Sequence, residues 1–150
     1  MKKVSLFFIA ILCTILLQAQ DSIVSKFSFN HPALSVKDVN RSADFYGKVL
    51  QLPEIVNRTK IEGIRWFVLE DGKELHLISI IKEPVVTNKA IHIGLATNNV
   101  DAFVQRLERL KINYSDWPGK TNTVNIRTDG VKQIYFQDPD GYWVEVNDAK

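Results

Sequence analysis

His31-Pro32-Ala33-Leu34-Ser35-Val36-Lys37-Asp38-Val39 and, further along the chain, His92-Ile93-Gly94-Leu95-Ala96-Thr97-Asn98-Asn99-Val100 are the same passage written twice. Each opens on a histidine. Each then runs through an apolar stretch with strand character to an Asp or Asn, followed by Val. Asp38 and Asn99 are helix-capping residue types, so each passage reads as a strand delivering the chain into a helix.

The reading extends outward from these two passages. The segment 27–36 alternates and is rich in aromatic and apolar residues, and reads as a strand. The segment 39–50 carries Val39, Ala43, Tyr46 and Leu50 at helical spacing, and Pro53 helps to stop it. Strands are expected over 54–58, 64–70 and 74–81, the last two joined at Asp71-Gly72, a hairpin signal. A polar linker with Pro84 spans 83–89. The order then recurs. A strand is expected at 91–97 and a helix at 99–110, its apolar face built from Val100, Phe103, Val104, Leu107 and Leu110. Strands are expected at 112–114, 123–127, 132–137 and 142–147. Asp138-Pro139-Asp140-Gly141 makes a tight turn before the last of them. Gly72 stands four residues before His76, and Gly141 four before Glu145, so the repeat is also visible in letters. Its period is too long for a solenoid array and implies a duplicated module. The fold class expected is α+β, two tandem βαβββ modules forming a curved mixed sheet around a central cleft, with halves at roughly 27–82 and 90–147.

The first residues read as a leader. Lys2 and Lys3 are basic, the segment 6–17 is apolar but too short to span a bilayer, and Leu17-Gln18-Ala19 has the small residue of a cleavage site. Residues 1–19 are therefore expected to be a signal peptide, and 20–150 one exported domain, periplasmic or secreted, with no membrane attachment after cleavage. The only Cys, Cys13, would leave with the leader, so the mature protein would hold no disulfide or thiol nucleophile. The whole chain has 19 basic and 17 acidic residues, and losing Lys2 and Lys3 balances them. That balance provides no electrostatic case for nucleic acid or an anionic membrane as partner.

The chain has three His residues. His31 and His92 open the first strand of each half, His76 lies on the last strand of the first half, and Glu145 takes its place in the second. If the halves pair about a twofold axis, these four side chains can converge, and imidazole and carboxylate are ligands that a divalent Zn, Ni, Co, Mn or Fe ion accepts. Val144 and Val146 point away from Glu145, and a Glu buried in such a strand needs a compensating partner. Arg65, Trp66, Phe67, Arg127, Lys132 and Tyr135 are further candidates to line a pocket; strand parity puts Trp66 and Phe67 on opposite faces.

The segment from His31 to Leu50, with Ser42 and the Phe45-Tyr46 pair, resembles the opening strand and helix of the vicinal oxygen chelate superfamily. That superfamily includes glyoxalase I, bleomycin-resistance proteins, fosfomycin-resistance transferases and extradiol dioxygenases. His92-Ile-Gly-Leu-Ala and Phe136-Gln-Asp-Pro-Asp-Gly-Tyr-Trp-Val-Glu145 are similar to its second-half signatures. The resemblance implies one divalent metal ion held by His31, His76, His92 and Glu145, with Glu145 and His76 carrying the chemistry. The place of His76 is a Glu in glyoxalase I. With His there, three neutral imidazoles and one carboxylate leave a divalent site of charge about plus one. Such a site polarises a substrate oxygen more strongly.

The resemblance implies a glyoxalase-like enzyme of lyase or isomerase type, acting by Lewis-acid catalysis on a small oxygen-chelating substrate. A non-catalytic binder of the bleomycin-resistance type and a ring-cleaving dioxygenase are the alternatives. Classical glutathione-dependent glyoxalase I activity is not expected, because Ser35, Ile80 and Asn88 stand where that enzyme's glutathione anchors would be. Two halves in one chain can close on each other or exchange with a second chain, so a homodimer stands beside the monomer as the assembly that would form the site.

Overall fold

The structure is a computed structural model and describes residues 26–150; the expected leader and its cleavage site lie outside the described residues. The chain runs β1 (Ala33–Ser35), α1 (Val39–Val49), β2 (Glu54–Ile55), β3 (Ile64–Val68), β4 (Glu74–Ile78), then β5 (His92–Ala96), α2 (Val100–Arg109), β6 (Asn125–Ile126), β7 (Lys132–Gln137) and β8 (Trp143–Asn147). Two tandem βαβββ modules of α+β architecture are thus present. The mixed sheet comes as two separate four-stranded sheets, ordered β1-β4-β3-β2 and β5-β8-β7-β6, rather than as one continuous curved sheet within the chain.

The duplication extends to backbone register. Ala33 pairs His76, and Trp66 pairs the other side of His76. Gly94 pairs Glu145, and Tyr135 pairs its other side. His76 and Glu145 therefore occupy one structural position, Trp66 and Tyr135 another. His31 and His92 each sit two residues before the partner of that position. Both helices are capped from the side chain, Asp38 accepting from the Asn40 and Arg41 amides and Asn99 from that of Ala102. Both also end in a left-handed residue that is not glycine, Gln51 and Lys111, each at a cost of roughly 1–2 kcal/mol.

Several expected strands are shorter, 54–58 being strand only at Glu54–Ile55 and 123–127 only at Asn125–Ile126, and two more changed further. The segment 27–36 is strand only at Ala33–Ser35, because Pro32 has no N–H to give a ladder. Its one-sided pairing survives, since the carbonyls of Asn30 and Pro32 accept from the amides of Glu74 and His76. The segment 112–114 makes no strand. Ser115 alone bridges to Tyr135, and Asp116 then folds the chain back by accepting from the Gly119 and Lys120 amides.

Each sheet buries one face against its helix. Leu34, Val36, Phe67, Leu75 and Leu77 pack on Ala43 and Tyr46 of α1. Ile134, Phe136, Val144 and Val146 pack on Leu107 of α2. The second core also takes in Val49 of α1, with Phe45 and Leu50 packed against it. Helix α1 thus serves both cores and lies between the sheets, so their other faces turn outward. Polar bonds fix this arrangement. The Tyr46 hydroxyl donates to Asp138 at 2.9 Å, buried, and the Ser42 hydroxyl donates to Asp140 at 2.7 Å. Asp140 also accepts from the Lys37 amide. Arg106 of α2 donates to the carbonyls of Val49 and Lys48 at the other end of α1. Among the described residues, no helix is long and apolar enough to cross a membrane.

Tyr46→Phe leaves the buried Asp138 carboxylate without its phenolic donor. It should destabilise the fold by about 1–3 kcal/mol, read by urea unfolding. Because α1 is shared by both cores, the loss should appear as one cooperative transition moving to lower urea, with no separate unfolding of either module.

Candidate metal centre

The four residues singled out in the sequence arrive as two pairs, one on the outward face of each sheet. On the first, the His31 and His76 rings stack with centroids 4.0 Å apart, and His76 stacks in turn on Trp66 at 4.1 Å. The Arg58 guanidinium closes the pile, 4.5 Å over the indole. On the second, His92 Nε2 lies 3.1 Å from Glu145 Oε2. No cluster of three or more His, Cys, Asp and Glu side chains that could hold a metal occurs among the described residues. The pairs therefore do not meet within one chain. A cavity of about 990 Å³ between the β3–β4 hairpin and β5 is lined by Leu52, Val68, Gly94, Ala96 and Phe103, and none of the four reaches it.

Each imidazole has one nitrogen tied to an oxygen. His92 Nδ1 lies 2.9 Å from the Lys89 carbonyl. A carbonyl only accepts, so Nδ1 carries a proton, and in the neutral ring Nε2 holds the lone pair. His76 Nε2 lies 2.8 Å from Glu74 Oε2, which leaves Nδ1 open. His31 Nδ1 lies 2.6 Å from Asn30 Oδ1, which leaves Nε2 open. One nitrogen orienting the ring through an oxygen acceptor while the other is left for a ligand is the usual posture of a metal-binding histidine; in His92 that second nitrogen faces Glu145.

Glu145 is gripped too. The Tyr135 hydroxyl donates to its Oε2 at 2.7 Å and the Asn147 amide to its Oε1, also at 2.7 Å. Its side chain is 10 % exposed and that of His92 26 %. With the His92 proton on Nδ1, two acceptors face one another at 3.1 Å. A positive charge between them, a proton or a cation, relieves that arrangement, and two ligands bound at ~2.0–2.2 Å to one small cation lie about this far apart. Imidazole and carboxylate are donors that a divalent ion accepts, and one chain brings two of them together here.

Three groups here escaped the sequence reading. Glu74 shares the outward face with His76, two residues away on β4. Its carboxyl is held below the usual carboxylate range first by the hydrogen bond from His76 and then by Arg58, 2.7 Å away. Its period-two spacing from His76 was the signal. Glu74 also puts a second carboxylate beside the candidate ligands, with Arg58 paired to it, so the two together leave the charge expected of the four candidate ligands unchanged. Lys89 and Trp117 lie against the other pair, and nothing in their local sequence marks them. Of the further pocket candidates, Trp66 and Tyr135 face the pairs. Phe67 is in the core, and Arg65, Arg127 and Lys132 are held by Glu54, Asp129 and Asp101.

The description of the Glyoxalase/Bleomycin resistance protein/Dioxygenase superfamily matches residues 28–146. The chain belongs to this superfamily. Among its relatives, the metallothiol transferase FosB of Staphylococcus epidermidis is 30% identical over 127 residues, which cover 80% of this chain and 80% of that protein. The lactoylglutathione lyase of Pseudomonas aeruginosa is 25% identical, with 86% of each chain covered. A glyoxalase/dioxygenase from Nostoc punctiforme superposes with a TM-score of 0.64 at 26% identity, covering 86% of this chain and all of that one. A lactoylglutathione lyase from Agrobacterium tumefaciens shares the superfamily fold at the same TM-score and 21% identity.

All four tyrosines have hydroxyls pushed above the ordinary phenol value of about 10, burial being the first cause in each. For Tyr135 the hydrogen bond to Glu145 adds to it. A folded-state pKa raised above the unfolded one favours the neutral phenol, so this stabilisation is full below about pH 10 and is lost as pH climbs through the folded values. Alkaline titration should show tyrosinate absorbance emerging late and together with loss of near-ultraviolet dichroism. A phenol titrating near pH 10 in the intact fold would contradict it.

Proposed function

We propose that this protein is an exported, metal-dependent glyoxalase-like enzyme of lyase or isomerase type, whose site forms when a second copy of the chain brings its His31–His76 pair to the His92–Glu145 pair. The observation that carries the reading is the posture of the three imidazoles, each oriented through one nitrogen, with the second nitrogen of His31 and His76 left without a hydrogen-bond partner among the described residues and that of His92 facing Glu145. Export rests on the sequence of residues 1–19.

The split pairs support sharing between chains. β1 and β5 are the edges of their sheets, occupy the same place in the repeat, and leave one side of each ladder unpaired. A free edge is a template for another strand. If β1 of one copy lies along β5 of the other about a twofold axis, both edges are covered and two sites of four ligands form at once. Within one chain this is prevented, because α1 stands between the sheets.

A bound divalent metal would polarise an oxygen of a small chelating substrate. The chain's own groups would do the rest. The Lys89 carbonyl holds the His92 ring, while Tyr135 and Asn147 hold both oxygens of Glu145. His76, its Nε2 proton on Glu74, presents Nδ1 as a proton acceptor or ligand. Glu145 is the carboxylate able to take a proton beside the substrate, and its tyrosine donor keeps the freed oxygen in place when it does.

Complementation tests the sharing. A chain carrying His31→Ala and His76→Ala, and another carrying His92→Ala and Glu145→Ala, should each lose tight Ni(II) or Zn(II) binding. Co-expressed, they should recover about a quarter of the wild-type sites through mixed dimers. No recovery, with both variants folded and dimeric, would refute a site shared between chains.

The methylglyoxal–glutathione adduct provides a second check. Ser35, Ile80 and Asn88 supply no cation for its carboxylates, so turnover at rates typical of enzymes, on the order of 1–1000 s⁻¹, is not expected. Robust conversion would show that other residues hold glutathione.

A further inference from the structure

Three rings stand around the His92–Glu145 pair like the walls of a corner. The His92 and Tyr135 planes meet at 85° with centroids 5.6 Å apart. The Trp117 indole stands 6.4 Å from His92 at 69°, and 5.4 Å from Tyr135 at 61°. Glu145 lies at the floor of the corner. His92 and Tyr135 have hydrogen-bonding work there, whereas Trp117 is 47 % exposed and projects from the 115–121 loop beside the sheet.

That loop is tied down from outside itself. The Lys89 ammonium donates to the Ser115 hydroxyl at 2.9 Å, to the Asp116 carbonyl at 2.8 Å and to the Trp117 carbonyl at 3.2 Å. It also sits 5.3 Å over the Tyr135 ring and 4.6 Å over that of Trp143. Its three N–H donors are all used, so it has none left for an anionic substrate. Meanwhile the carbonyl of Lys89 holds His92 Nδ1. One residue thus orients a candidate ligand through its backbone and an exposed indole through its side chain.

We propose that Trp117 is the specificity-determining wall of this site, stacking the flat aromatic or conjugated body of a small-molecule ligand, and that Lys89 is the positioning residue that holds the wall in place. The inference rests on the metal-dependent reading above. An apolar face beside a polar floor suits a planar molecule whose oxygens point toward His92 and Glu145 and whose ring lies on the indole. Holding an exposed indole rigid lowers the ordering cost when a ligand arrives.

Two hydroxamates separate the wall from the floor, because they present the same pair of oxygens with and without a ring. Benzohydroxamate and acetohydroxamate are titrated calorimetrically into the protein loaded with one equivalent of Ni(II). In the wild type, benzohydroxamate should bind about tenfold tighter, the scale of one aromatic stacking contact. The ratio should fall to near one in Trp117→Ala, be largely kept in Trp117→Phe, and shrink in Lys89→Met, with acetohydroxamate affinity little changed in all three. A ratio that Trp117→Ala leaves untouched overturns the wall. Binding of neither hydroxamate to the wild type sinks the metal reading, and the substrate assignment with it. The pinning is then judged by amide hydrogen exchange at Gly119 and Lys120, with and without metal. Exchange should quicken in Lys89→Met and return toward wild type in Lys89→Arg. Unchanged exchange in Lys89→Met overturns the role of Lys89.

Discussion

Helix α1 is gripped at both ends by the second module, and the rest of the molecule follows from that. Near its start, Asp138 and Asp140 of the tight turn before β8 take the Tyr46 and Ser42 hydroxyls and the Lys37 amide. At its end, Arg106 of α2 takes the last carbonyls. Charged groups at helix termini are favourable where they meet unpaired backbone groups. Here they also act as fasteners between modules. Burial pushes the Asp138 carboxyl up, and the bond from Tyr46 works against that shift. The connection is therefore made from groups that would be costly to bury without one another.

This grip decides where the chemistry goes. With α1 between the sheets, both helix-facing surfaces are consumed by the two cores, and the polar residues of β4 and β8 are left on faces that look away from each other. The duplicated module would by symmetry bring its two half-sites together. The inter-module bonds keep the halves of one chain from doing so. The proposed dimer would remove the conflict, since a second copy would offer a free β1 to a free β5 without disturbing α1.

The two half-sites are also unlike, although their backbones superimpose in register. Where the first has His76 on Trp66, the second has Glu145 on Tyr135. Here the indole stacks on the imidazole, whereas the phenol donates a hydrogen bond to the carboxylate beside it. The first pair is accordingly a stack of rings with carboxylate Glu74 behind it, and the second a hydrogen-bonded carboxylate with an open aromatic corner.

Much of this was legible in the letters. Capping residues, hairpin glycines and the paired His31 and His92 passages identified the duplicated βαβββ module, because turns, caps and alternation are local properties of short segments. Period-two parity put Trp66 and Phe67 on opposite faces, and it would have put Glu74 beside His76 had it been applied there. Lys89 and Trp117 were not legible. They meet only because a loop after α2 folds back over β7, a contact between segments that no local pattern connects. The division of the four candidate ligands into two pairs was hidden for the same reason. Repeats in a sequence show which positions are equivalent, but whether equivalent faces turn toward or away from each other depends on the long-range bonds at Tyr46, Asp138 and Arg106, and those exist only once the chain has folded.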